Sequence, residues 1–150
     1  MTLVSPHFTF EELTFSEIAL RKGLDNTPDA AQRMNLSRLA NQMLEPVRDL
    51  LQVPIRINSG FRSPAVNTAV GSTAMHSAHL DGLAADFVPV GLALRNAFDA
   101  IRSNLKGWDR MIIECNAWIH IAIPEAGDPA RMLAEVASGT PGNWTYTNVA

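Results

Sequence analysis

Three polar residues constrain this chain most: His79 and Asp86 in the stretch Ser77-Ala-His-Leu-Asp-Gly-Leu-Ala-Ala-Asp86, and His120 in Trp118-Ile-His-Ile121. Two imidazoles and one carboxylate form the set that holds a catalytic zinc while leaving its fourth position open for water. A fold that uses them must bring a loop histidine, a strand aspartate and a distant strand histidine to one point. Such a site belongs to hydrolytic chemistry.

The flanking patterns supply the strands. Leu83 to Val88 alternates, sending Ala84, Asp86 and Val88 to one face and Leu83, Ala85 and Phe87 to the other, so Asp86 lies on the open side of a sheet. Arg110 to Glu114 and Trp118 to Ile123 are apolar runs separated by Cys115-Asn116-Ala117, a hairpin loop length. If Glu114 pairs with Trp118, then Ile112 pairs with His120 and all four point to one face. Glu114 and His120 become diagonal neighbours, roughly 7–8 Å apart, a gap a glutamate spans toward water on the same metal. Glu114 is therefore the candidate general base. Asp109 falls on the other face by parity and is the runner-up, read as a structural partner.

Arg62, in Gly60-Phe-Arg-Ser63, offers a forked donor for a substrate carboxylate or a developing oxyanion. Ser77 precedes His79 by two residues and is placed to orient a ligand or bind substrate. His76 would join a paired-histidine metal motif only if its loop were helical. Without an apolar stripe there, it is read as a supporting or surface residue, and His7 as solvent-exposed.

Elsewhere, Thr9-Phe-Glu-Glu12 predicts a capping box with Phe8 and Leu13 as its staple. A helix from Pro28 carries Leu36, Ala40, Met43, Val47 and Leu50, with a kink expected at Pro46. Ile55 to Ile57 reads as a strand, Ser63-Pro64 as the start of a short helix, and residues 71–82 as a loop. Val90, Leu94, Phe98, Ile101 and Leu105 mark an amphipathic helix ended by Gly107. Asp128-Pro129 is read as opening a last short helix, and residues 138–150 as a poorly ordered tail.

At 150 residues and 47% hydrophobic content, the expectation is one domain over 1–150. Twelve basic residues against 15 acidic ones, with no basic block, argue against a nucleic-acid partner. The single cysteine, Cys115, cannot form an internal disulfide. The first residues carry neither a basic segment nor an apolar core of a signal peptide, and no apolar run is long enough for a bilayer. The expectation is a monomer without a membrane partner, made in a cytoplasm, with any route out depending on a separate factor.

Taken in order, Ser59-Gly-Phe-Arg-Ser-Pro64, Ser77 to Asp86, and Ile113-Glu114 with Trp118 to Ile121 resemble the zinc D-alanyl-D-alanine carboxypeptidase and endolysin peptidase family, which shares the fold of the hedgehog signalling domain. The resemblance spans most of the chain, and the openings Phe8 to Glu12 and Arg21 to Pro28 are similar to small phage and prophage members. It implies one zinc per chain held by His79, Asp86 and His120, with peptidoglycan stem peptides as substrate and Arg62 on the family's substrate or oxyanion arginine. It also implies a phage-type endolysin that acts at the cell wall or periplasm after release by a separate factor. Many relatives carry an acid three residues before the last histidine, where this chain has Ala117, which leaves the base to Glu114. Ala78 replaces a frequent glutamine and Phe61 the usual tyrosine.

The resulting expectation is an α+β domain whose small antiparallel sheet presents the zinc while helices cover its other face. The rival readings are a non-catalytic zinc module that binds peptidoglycan or protein, and a virion-associated wall-degrading component.

Overall fold

The computed structural model describes residues 1–72, 76–140 and 143–149. Strands β1 (Leu3–Ser5) and β2 (Phe8–Thr9) pair antiparallel and run into helix α1 (Phe10–Thr14). Thr9 caps α1 by accepting the Glu12 N–H at 3.1 Å, and Phe8 and Leu13 on either side of the cap are both buried. Helix α2 (Glu17–Lys22) was not expected from the sequence. Six residues are too few to show a period, so its signals are the caps Ser16 and the left-handed Gly23.

The long helix is α3 (Ala30–Leu39), a π-helical turn (Ala40–Leu44) and α4 (Glu45–Leu51) in succession. Asp29 and Gln32 start it with a reciprocal capping box. Pro46 has no N–H to donate and its ring crowds the preceding turn. The chain widens just before it, the Glu45 N–H reaching the Ala40 carbonyl five residues back. The apolar stripe survives this change, since Leu36, Leu39, Ala40, Met43, Leu44 and Val47 are all buried.

Six strands form the main sheet, in the order β3 (Ile55–Ser59), β4 (Ala84–Pro89), β6 (Trp118–Ala122), β5 (Arg110–Glu114), β7 (Leu133–Thr140) and β8 (Asn143–Asn148). Helix α5 (Pro64–Ala69) follows β3, and α6 (Leu94–Asn104) follows β4. The expected α+β class holds, although one pair, β5 with β7, is parallel. The β5–β6 hairpin pairs Glu114 with Trp118 and Ile112 with His120, the register expected from the sequence. Its turn puts Cys115 and Asn116 in the left-handed region, and the Ala117 N–H closes it on the Glu114 carbonyl at 2.8 Å.

The two faces of the sheet differ in chemistry. Ala85, Phe87, Met111, Ile113, Ile119 and Ile121 point one way and join the helical residues Leu36, Leu44, Val47, Phe98 and Ile101 in one core. Each fully buried leucine or phenylalanine there contributes about 1.5–3 kcal/mol, which holds the helices on that face. The opposite face carries the row Asp86, His120, Ile112, Glu135 in successive strands.

Two C-terminal expectations are overturned. Residues 128–132 do not form a helix, and the segment read as a tail from 138 is built into β7 and β8. Strand β5 leaves one side of its backbone unpaired, and β7 fills it through Arg110↔Leu133 to Glu114↔Ala137, with β8 added outside it. That open edge is a product of sheet order and has no local sequence signal. No helix among the described residues is long and apolar enough to cross a membrane.

Asp109 makes the corner that brings β7 to β5. Its N–H bonds the Ala122 carbonyl, its carbonyl accepts from Leu133, and its carboxylate accepts from the Arg131 backbone and guanidinium, at 2.7 Å to Nη2. The hydrogen bonds from Arg131 hold the Asp109 carboxyl below its ordinary value against a modest opposing effect of burial. Asp109→Asn should keep zinc and turnover but lower stability at neutral pH by about 1 kcal/mol. A group with a lowered folded pKa contributes fully above its unfolded value of about 3.9 and loses that contribution as pH falls through the lowered folded value, so thermal melts of variant and wild type should draw together as the pH falls below about 3.9.

Candidate metal centre

His79 lies on a 3-10 turn (Ala78–Asp81), Asp86 in β4 and His120 in β6, and all three side chains are buried. The pairing Asp86↔His120 places the last two side by side, and the turn delivers His79 over them. His79 Nε2 is 3.2 Å and His120 Nδ1 3.0 Å from the same Asp86 Oδ1. One donor atom from each of the three lies within 4.8 Å of the others, and no other such group of three is found among the described residues. Two cavities of about 340 and 370 Å³ lie elsewhere, lined by residues such as Arg38 and Gln42 or Arg102 and Trp108. The site is marked by donors converging on the sheet face opposite the core.

The tautomer of His79 follows from its other nitrogen. Nδ1 is 2.7 Å from the Gly60 carbonyl, which can only accept, so Nδ1 carries a proton and Nε2 is the nitrogen left to offer a metal its lone pair. Nε2 faces the Asp86 carboxylate at 3.2 Å, a separation that needs either a proton or a metal cation between them. The donor set, two imidazole nitrogens and a carboxylate oxygen, suits zinc.

Residues that sequence reading missed hold this arrangement. Gly60 is one, and a side chain there would collide with the Leu13 carbonyl, so glycine is required for the loop to pass close enough to reach His79. Gln32 and Asn35 of α3 donate to the carbonyls of Leu80 and Asp81 at 3.0 and 2.8 Å, clamping the turn. Asn26 bonds the carbonyls of Thr14 and Phe61 and accepts from the Ser63 N–H, fixing the loop that carries Arg62. Lone amides of this kind have no sequence signature, because their partners are distant backbone carbonyls.

Arg62 is brought to the site and committed to the protein. Its Nε, Nη1 and Nη2 donate to Ser59 Oγ at 3.0 Å, Asn67 Oδ1 at 3.3 Å and Asp86 Oδ2 at 3.1 Å. Asp86 thus turns one oxygen to the histidines and the other to Arg62. Ser77 uses its hydroxyl to cap the 3-10 turn, accepting the His79 N–H at 3.3 Å. His76 is exposed and outside the donor group, and His7 pairs instead with Glu45 at 2.8 Å.

Glu114 reaches the edge of the cluster, with Oε1 4.0 Å from His120 Nδ1. Burial raises its pKa, the Asp86 charge raises it further, and His120, Arg62 and Arg110 oppose. Burial also works against ionisation of Asp86, but the two histidines outweigh it and hold that carboxyl well below the usual range. Two neighbouring carboxyls are pushed apart, one toward a permanent anion and the other toward a group that can take up a proton.

Compared with known families, the chain matches the Peptidase M15 family over residues 6–122, most of its length and all of the cluster just described. The chain belongs to the Peptidase M15 family. A comparison with curated proteins finds no match. The family makes this protein a zinc metallopeptidase that acts on peptidoglycan-type substrates. The donor cluster is where its residues suit that zinc.

Arg62 orients Asp86 through Nη2, so its removal frees one of the three clustered donors. Arg62→Ala is expected to weaken zinc binding 10- to 100-fold, the usual range for lost partners of ligands. Competition against a chelator measures it, and unchanged affinity would restrict Arg62 to substrate.

Proposed function

We propose that His79 Nε2, Asp86 Oδ1 and His120 Nδ1 hold the zinc of this peptidase and that Glu114 is its general base. The observation that carries this reading is the convergence of three buried donors beside a carboxylate 4.0 Å from one of them. Zinc bound by these donors supplies Lewis-acid polarisation of a scissile carbonyl and acidifies water. Glu114 takes the proton of the attacking water and returns it to the leaving amine, a task its raised pKa suits. Arg62 keeps Asp86 in place, and its remaining N–H groups serve the oxyanion. The Ser77 hydroxyl accepts from His79 N–H and retains its own proton for a substrate carbonyl.

The bond hydrolysed is an amide of a peptidoglycan stem peptide. The single-domain reading over 1–150 is kept, now with β7 and β8 as part of the sheet. The endolysin reading rests on the likeness of Phe8 to Glu12 and Arg21 to Pro28 to small phage members. Lysis of permeabilised bacteria by the purified protein tests it. The alternative of a non-catalytic zinc module is favoured by Ala117, which stands exposed in the hairpin turn where many relatives have an acid.

Glu114→Gln should retain zinc and fold while losing about 10²–10⁴-fold in rate, the range for removal of a general acid–base group. His120→Ala should lose zinc, and with it the thermal stabilisation that a ligand of the folded state provides. Metal analysis and mass spectrometry of digested muropeptides read both outcomes. Near wild-type cleavage by Glu114→Gln would remove it as the base, and no cleavage by the wild type would favour the binding module.

A further inference from the structure

Arg110 is a second arginine on the metal-bearing face. It lies two residues before Ile112 and four before Glu114 on β5, so the three share one side of the sheet, and it pairs with Ala122 as Glu114 pairs with Trp118. Arg110 and Glu114 are thus the two diagonal neighbours of His120, each roughly 7–8 Å away across the strands.

Its surroundings differ from those of Arg62. Only Nε is engaged, donating to Glu135 Oε1 at 2.6 Å, and the ring of Tyr146 covers the guanidinium with its centroid 5.0 Å from Cζ. Nη1 and Nη2 make no hydrogen bond to any described residue, and neither does the Tyr146 hydroxyl. Arg62, by contrast, spends all three nitrogens on the protein. The Arg110 side chain is 35% exposed while that of Glu135 is 11% exposed, so the anchor is inside and the fork outside.

An arginine–glutamate pair adds little stability over apolar residues of the same size. What this pair does is hold a guanidinium in one orientation, stacked and partly desolvated, so that little further entropy is lost when an anion binds its fork. The charge balance agrees. With zinc in place, its two charges and those of Arg62 and Arg110 exceed the three carboxylates Asp86, Glu114 and Glu135 by one, leaving the face complementary to an anion. Glu135 and Tyr146 both come from β7 and β8, beyond residue 122 where the family match ends.

We propose that Arg110, anchored by Glu135 and covered by Tyr146, is a specificity-determining residue that binds a free carboxylate of the substrate beside the scissile amide. This rests on the peptidase reading above. The carboxylate has two possible sources, the α-carboxylate of the residue after the cleaved bond or an acidic side chain at that residue.

Three acetylated peptides distinguish them: one ending in D-alanyl-D-alanine, its C-terminal amide, and an amide with D-glutamate in the last position. The zinc-loaded wild type should prefer a carboxylate-bearing peptide over the plain amide by roughly 10- to 100-fold in kcat/KM, carried mainly by KM, the range for hydrogen bonds to a charged group. The acid that earns the preference identifies the source. Arg110→Gln with Glu135→Gln removes both charges together and leaves no buried carboxylate uncompensated, so the protein should fold and the preference fall to within about 3-fold. Arg110→Lys, which keeps the charge and loses the fork, should fall between. Absence of preference in the wild type, or its persistence in the double variant, would overturn the assignment. Calorimetric titration of zinc-loaded Glu114→Gln protein with the same peptides, with and without the Arg110 and Glu135 changes, reads binding without turnover. A protein that cuts no peptide but binds the carboxylate through Arg110 would lose the hydrolytic reading and keep this one, and one that cuts all three equally would do the reverse.

Discussion

The site depends on the buried carboxylate of Asp86. A carboxylate at 3% exposure is stable only with its oxygens satisfied, and here one faces two imidazoles while the other accepts from Arg62. This single group ties together the loop after β3, the 3-10 turn and two strands. A divalent cation held by these three donors would take the place of the protons that must otherwise separate them.

Around that group the protein has built supports that add no donor atom to the cluster. The Gly60 carbonyl sets the His79 tautomer, two amides of α3 clamp the turn, and Asn26 braces the arginine loop. Behind the sheet, the core of Phe87, Ile119, Ile121 and the α3–α4 stripe makes the strands rigid. Metal ligands held by packed strands and hydrogen-bonded partners need little rearrangement when metal or substrate arrives.

The open face divides its work among charges of different commitment. Arg62 is bonded to the protein and orients Asp86, whereas Arg110 is anchored at one nitrogen and presents the rest. Glu114 and Arg110 flank His120 from opposite diagonals of the same strand pair. A peptide lying over His120 would thus meet the Glu114 carboxyl on one side and the Arg110 cation on the other.

Much of the site was legible in the sequence because it is carried by local patterns. Alternation in Leu83 to Val88 and the three-residue hairpin loop set the facing of Asp86, His120 and Glu114, and a period of two leaves no freedom once one face is buried. Chain order and spacing in Ser59 to Pro64 and Ser77 to Asp86 carried the likeness to the peptidase family that the comparison then showed. Tertiary structure alone decided what depends on pairing between distant segments: the parallel docking of β7 on β5, the burial of Glu135 against Arg110, and the clamp of Gln32 and Asn35 on the His79 turn. Backbone carbonyls and open strand edges are the same for every residue type. Which of them a glutamine, a glycine or a C-terminal strand will meet is settled only when the chain has folded.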